Sequence, residues 1–155
     1  MFLLNLLLAL AWLALTAQFT PVNFAFGFVL SYGLLWLFAH GTAHAKYFRK
    51  AKQAVSFTFF FIKELVKSNL RVAYDVVTPT HYMRPGVIAI PLEAKTDLEI
   101  TLLCNLITLT PGTFSLDVSA DRRVLYVHEM YVDDPEKYRR EIKEGLERRL
   151  LEVLR

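Results

Sequence analysis

Charge is the first thing missing from this 155-residue chain: no Asp, Glu, Lys or Arg occurs before Lys46. A purely soluble fold is excluded, because so long an uncharged stretch offers water no polar face. Cysteine is nearly missing too. Cys104 stands alone, so an intramolecular disulfide and a cysteine-built metal cluster are excluded. Its position within an apolar segment reads as a small buried hydrophobe. The six glycines form no phosphate-cradling loop, and Pro111-Gly112 is a turn signal. His40, His44, His81 and His128 lack the spacing of a zinc-protease motif. His40 and His44 lie four apart and could share a helix face as a metal or proton site. The plainer reading makes them interfacial residues at the end of a membrane helix.

What is present is unevenly placed. Apolar residues make up 54% of the chain and aromatics 14%. From Lys46 to Arg84 eight basic residues meet two acidic ones, a balance of +6, whereas Pro85 to Arg155 carries ten basic and thirteen acidic, a balance of −3. That division describes a membrane anchor, a basic connector and a small polar domain, at 1–41, 42–84 and 85–155.

Met1 runs directly into Phe2-Leu3-Leu4 with no Lys or Arg, unlike the positive start of a secretory signal. Apolar character breaks at Gln18-Phe19-Thr20-Pro21 and then resumes. Proline at a first helical position costs no hydrogen bond. Two hydrophobic helices are therefore expected, over 2–17 and 21–40, forming a transmembrane hairpin. The first, ~24 Å long, falls slightly short of a ~30 Å hydrocarbon core. The second carries Phe24, Phe28, Tyr32 and Trp36 on a face suited to lipid or other membrane helices. Lys46, Arg49, Lys50 and Lys52 follow it, and positive connectors stay in the cytoplasm. Both the N-terminus and the connector are expected there.

A third apolar segment, Ala54 to Val77, carries Lys63, Glu64, Lys67, Asn69, Arg71 and Asp75 among apolar residues near helical spacing. A full span would place several charges in the bilayer at ~2.5–3.5 kcal/mol or more each. A basic amphipathic helix lying in the interface, or inserted obliquely, avoids that cost and keeps the rest of the chain cytoplasmic.

After Arg84-Pro85-Gly86 the pattern becomes that of a small α+β domain. Residues 87–92 predict a buried strand, and Thr96 with Glu99 predicts a capping box opening a helix that stops before Thr110-Pro111-Gly112. Residues 114–118 and 124–128 predict paired strands around a turn at 120–122. Asp133 or Asp134 with Pro135 opens a last helix, apolar at Tyr138, Ile142, Leu146, Leu150 and Leu154. The expected order is β-α-β-β-α, a truncated ferredoxin-like layer. Ile100 to Leu109 is half the length of a membrane span.

Chemistry is sparse. His128-Glu129 at a strand end reads as surface polarity before it reads as an acid/base pair. The alternating charges of the last helix describe a solvated face, so a nucleic-acid partner is not expected. No cofactor is implied. An ion path needs ionisable groups buried between helices. Residues 1–39 offer only Asn5, Gln18, Asn23, Ser31 and Tyr32, which leaves Lys63, Glu64 and Lys67 as the charged candidates beside the membrane or a partner.

Asn105-Leu106-Ile107-Thr108-Leu109-Thr110-Pro111-Gly112-Thr113, then Asp121 and Leu125-Tyr126-Val127-His128, resembles the E-subunit family of multisubunit Mrp-type (Mnh, Pha) Na+/H+ antiporters. The hairpin, the Phe61 to Val72 segment and the last helix resemble it as well, so the likeness covers essentially the whole chain. The resemblance implies a bacterial plasma-membrane protein with subunits of A, B, C, D, F and G type as partners, alongside lipid. It further implies that the larger A and D subunits conduct ions while the E subunit is accessory. In that reading Thr108, Thr110, Pro111, Gly112 and Thr113 form a structural motif: helix stop, rigid turn, strand entry. Two alternatives remain, a membrane-tethered binding or sensor module and an enzyme using His128 and Glu129.

Overall fold

The structure is a computed structural model describing residues 1–38, 45–79 and 83–155. It divides into two compact units, Met1–Lys52 and Gln53–Arg155.

In the first unit α1 (Phe2–Thr16) and α2 (Pro21–Phe38) pack on each other. α1 ends one residue earlier than expected, with Ala17 as its cap in the left-handed region at φ 52°. The turn is tied by polar groups. The Trp12 indole N–H donates to Asn23 Oδ1 at 2.9 Å, and the Asn23 amide donates to Thr16 Oγ1 at 2.7 Å and the Gln18 carbonyl at 2.8 Å. Gly27 lets α2 approach Trp12 so closely that an added Cβ would fall 2.7 Å from the indole. Buried positions in α1 are Asn5, Ala9 and Leu13, and in α2 Gly27 and Ser31. Most of the large apolar side chains are exposed, as they are when the surroundings are hydrocarbon or other apolar helices. α2 has the length and composition to cross a membrane; α1, at 15 residues, is shorter. The expected end of the second helix, 39–40, and His40, His44 and His81 lie outside the described residues.

The expected connector before the third segment is helical from Ala45 onward. α3 runs 33 residues, Ala45–Val77, so Lys46, Arg49, Lys50 and Lys52 ride on it. No Pro or Gly interrupts 45–77, which leaves nothing to stop the helix. The contact division falls inside this helix, and from Gln53 onward it belongs with the polar domain. The Phe57 to Ile62 run splits by face. Phe57, Phe60 and Phe61 pack on the domain core, while Phe59 and Ile62 are exposed.

The domain contains β1 (Gly86–Pro91), α4 (Asp97–Leu109), β2 (Thr113–Val118), β3 (Val124–Glu129), α5 (Pro135–Arg140), a π-helical stretch (Glu141–Glu147) and α6 (Arg148–Leu154). The sheet order is β1-β3-β2, both pairs antiparallel. β3 is thus inserted between the strands joined by α4. Ile88 and Ile90, Leu125 and Val127, Leu103 and Ile107, and Leu146 and Leu150 form the core. The four-residue apolar spacing of the last helix is wider than the 3.6 of an α-helix, so an α-helix would rotate those residues off one face. The π stretch, with its wider i→i+5 bonding, takes up the difference. The sequence pattern predicts the helix and gives no sign of its π centre.

Candidate functional site

The α4 stop is built from threonines. The Thr110 hydroxyl donates to the Leu106 carbonyl at 3.1 Å, and the Thr113 hydroxyl donates to the carbonyls of Ile107 and Thr110. The Thr108 hydroxyl accepts the Ser115 N–H at 3.2 Å. These groups use local backbone partners, the pattern by which Thr ends a helix. Gly112 sits at φ 91°, where a side chain is strained, and its carbonyl accepts the Met130 N–H at 2.8 Å. The motif therefore joins α4, β2 and the end of β3 by hydrogen bonds. Pro111, Thr110 and Thr113 also form part of a groove floor, whereas Thr108 and Gly112 do not.

That groove, of about 800 Å³, runs between α3 and the last helix. Phe60, Phe61, Glu64, Lys67, Ser68 and Arg71 line one wall. Lys137, Arg140, Glu141, Glu144, Gly145 and Arg148 line the other, with Ile107, Glu129, Tyr131 and Tyr138 between. Gly145 faces Phe60 across the groove: an added Cβ would stand 3.3 Å from the Phe60 ring, and the Arg149 guanidinium lies 4.5 Å over that ring. Of the three charged candidates, Glu64 and Lys67 line the groove and pair at 3.7 Å, with Lys67 well exposed. Lys63 is exposed and lies outside it.

Deeper in the groove, Arg71 stacks 4.6 Å over the Tyr131 ring. Glu129 is buried, accepts the Tyr131 N–H at 3.1 Å and lies against the Tyr138 hydroxyl. Burial pushes its carboxyl above the ordinary carboxylate range, opposed by the Tyr131 N–H, the Tyr138 hydroxyl and the Arg71 charge. Burial and the neighbouring Glu129 push the Tyr138 hydroxyl up. Asp75, also buried, faces Tyr131 and raises that phenol's pKa after burial itself. This polar floor seats α3 on the domain. Asp75 is visible in the sequence, but its burial depends on contact with a strand end more than fifty residues away.

His128 and Glu129 are neighbours in β3, and successive strand side chains point to opposite faces. His128 pairs across the outer face with Val87 and Phe114, while Glu129 points into the groove. A shared acid/base dyad is therefore not formed. Cys104 is half-buried, and desolvation raises its thiol pKa, which keeps it protonated and unreactive. Among the described residues no three His, Cys, Asp or Glu side chains converge as a metal site.

Two buried carboxylates act as structural ties, and sequence reasoning finds only one of them. Glu147 accepts the N–H groups of Glu93 at 2.6 Å and Ala94 at 2.9 Å. Glu99 closes the capping box with Thr96 and binds Arg155 at 2.9 Å. The sequence signal for Glu99 is the Thr-x-x-Glu spacing; for Glu147 there is none, because its partners lie 53 and 54 residues away.

Comparison with known proteins decides the family. The family model described as "Na+/H+ ion antiporter subunit" matches residues 5–153. The E subunit of the Na(+)/H(+) antiporter of Bacillus subtilis is 39% identical over 153 residues, covering 99% of this chain and 97% of the relative. That of Alkalihalophilus pseudofirmus is 36% identical over 151 residues, covering 97% and 96%. The chain belongs to the Na+/H+ antiporter E-subunit family. Two solved structures are similar as well. A chain of the Mrp complex from Dietzia sp. matches at TM-score 0.51 and 29% identity, over 66% of this chain and 96% of that one. A chain of an archaeal membrane-bound sulfane sulfur reductase matches at TM-score 0.57 and 26% identity, over 96% and 94%. The membrane reading made from the residues agrees with this family, as do the antiport and multisubunit readings that the resemblance implied.

Proposed function

We propose that this member of the E-subunit family is an accessory, non-conducting part of a multisubunit Na+/H+ antiporter in the bacterial plasma membrane. α1 and α2 cross the membrane as a hairpin and pack on helices of partner subunits. The outward stripe of α3 (Val55, Phe59, Ile62, Val66, Leu70 and Val77) is exposed and lies in the cytoplasmic interface. The domain, a truncated ferredoxin-like layer, sits on the cytoplasmic side.

The observation that carries this reading is where the charges lie. α1 and α2 contain no Asp, Glu, Lys or Arg, and a membrane ion path requires titratable or coordinating groups between helices. From Arg49 onward the charged groups of α3 are engaged with the domain, paired with each other or exposed. Deciding the matter requires Lys63→Gln, Glu64→Gln and Lys67→Gln made singly and assayed for Na+-dependent proton movement in everted vesicles. Each variant is expected to assemble and retain most antiport. A Glu64→Gln complex of normal composition without antiport would place this helix in the ion path.

The groove favours one second reading, a membrane-tethered binding module. Purification from native membranes separates the two: the subunit reading expects a stable complex with large polytopic proteins, the module reading a monodisperse single chain.

A further inference from the structure

The sheet of the domain is covered on one side only. α4, α5, α6 and α3 all pack toward the face carrying Ile88, Ile90, Leu125 and Val127. The opposite face is usually polar in a half-covered antiparallel sheet. Here it presents Val87, 60% exposed, Phe114 at 53%, Leu116 at 49% and Tyr126 at 39%. The register brings Val87, Phe114 and Tyr126 together. Val87, His128 and Phe114 lie side by side across the three strands, and Ala89, Tyr126 and the exposed Asp117 form the next row, with Leu116 in the register shift between Ser115 and Asp117. No Lys or Arg belongs to either row.

We infer that this bare face is covered by one amphipathic helix of another subunit of the antiporter, laid across the three strands. Three arguments choose this occupant. First, three strands ~4.8 Å apart and six residues long at ~3.4 Å each give a strip roughly 14 by 20 Å. One helix about 10–12 Å wide over three turns fills it. Second, that footprint of roughly 300 Å² is well below the ~800 Å² per partner of a stable free-standing interface. A second copy held by this face alone is therefore disfavoured, while a contact added inside an existing assembly is not. Third, an anionic bilayer surface is recognised by basic residues, and neither row supplies one. α3 lies on the helix side of the sheet, so its apolar stripe and this face look in opposite directions. With the stripe in the interface, the bare sheet points away from lipid.

The apolar side chains of these rows set the pattern of the guest: large aliphatic or aromatic side chains at i, i+3 or i+4, and i+7, meeting Val87, Phe114 and Tyr126. His128 lies at the centre of one row, where a hydrogen-bonding side chain of the guest would pair with the imidazole.

The inference rests on the subunit reading, and the experiment separates the two. A photo-crosslinking amino acid replaces Phe114 or Tyr126 in the full chain, expressed with the whole antiporter. The same substitution at Leu98, exposed at the start of α4, serves as control. Crosslinked peptides are mapped by mass spectrometry after purification of the complex. The expected result is an adduct from positions 114 and 126, absent at 98, to a periodic amphipathic helical peptide of another antiporter subunit. Phe114→Asp made with the crosslinker at 126 should reduce that adduct at least tenfold while antiporter subunits still co-purify. An adduct to a second copy of this chain, to lipid, or to an extended segment overturns the inference, as does an intact complex with no adduct at either position. Failure of the chain to co-purify with any antiporter subunit would overturn the subunit reading instead.

Discussion

Glu99 shows how one side chain couples sequence spacing to tertiary contact. Its capping-box partner Thr96 is three residues away, but its charge is balanced by Arg155, 56 residues along the chain. The Arg155 hydrogen bond and two backbone N–H groups lower its pKa from 4.5 to about 2. A carboxyl with a depressed folded pKa stabilises the fold fully above its unfolded value and loses that contribution as pH falls through the folded value. Thermal melts of the full chain in detergent, followed by far-UV circular dichroism, should show Tm falling between pH 4.5 and 2. Glu99→Gln should melt lower at pH 6 and lose less Tm across that window. Gly112 is the second such residue. Its φ of 91° strains any side chain by about 1–3 kcal/mol. Gly112→Val should lower the amount of subunit in the membrane, with antiport falling in proportion; normal abundance without transport would instead give Gly112 a direct role in ion movement.

Among the elements, α1 and α2 meet through small residues, the usual device where apolar burial gives helices no preference for each other. Gly27 and Gly33 make a controlled pair. A Cβ on Gly27 meets the Trp12 ring at 2.7 Å, while one on Gly33 meets nothing within 4 Å. Gly27→Ala should displace the indole, weaken its bond to Asn23 and shift Trp12 fluorescence in a Trp36→Phe background. Gly33→Ala should leave that spectrum unchanged and stabilise α2 by about 0.5–1 kcal/mol. An unchanged Trp12 spectrum in Gly27→Ala would mean that the helices do not meet at this point. On α3, periodicity in the sequence reveals two faces but not which of them meets protein. The aromatic cluster Phe57, Phe60 and Phe61 is claimed by the domain, and the outward stripe stays exposed.

For the whole molecule, orientation is the property that everything else depends on. The proposed topology, with its charge-free start and basic residues after α2, predicts a cytoplasmic domain. A Cys104→Ala, Ala120→Cys variant tests this, because Ala120 is exposed at the β2–β3 turn. An impermeant maleimide should label position 120 in everted vesicles and not in intact cells. Labelling from outside would mean that α3 crosses the membrane as a third span.

The sequence by itself determined the membrane character, the helices up to their ends, the three strands, the capping box and the proline start of α5. Each rests on local spacing or on transfer of side chains to an apolar medium, and neither needs a distant partner. Tertiary structure alone decided where buried charge is tolerated. Glu147 answers two loop N–H groups, Glu129 lies under Arg71 and Tyr138, and Gly145 makes room for Phe60. It also decided the π centre of the last helix and the bare apolar face of the sheet. A buried polar group is stable only beside its partner, and when that partner lies fifty residues away no local pattern records the pairing.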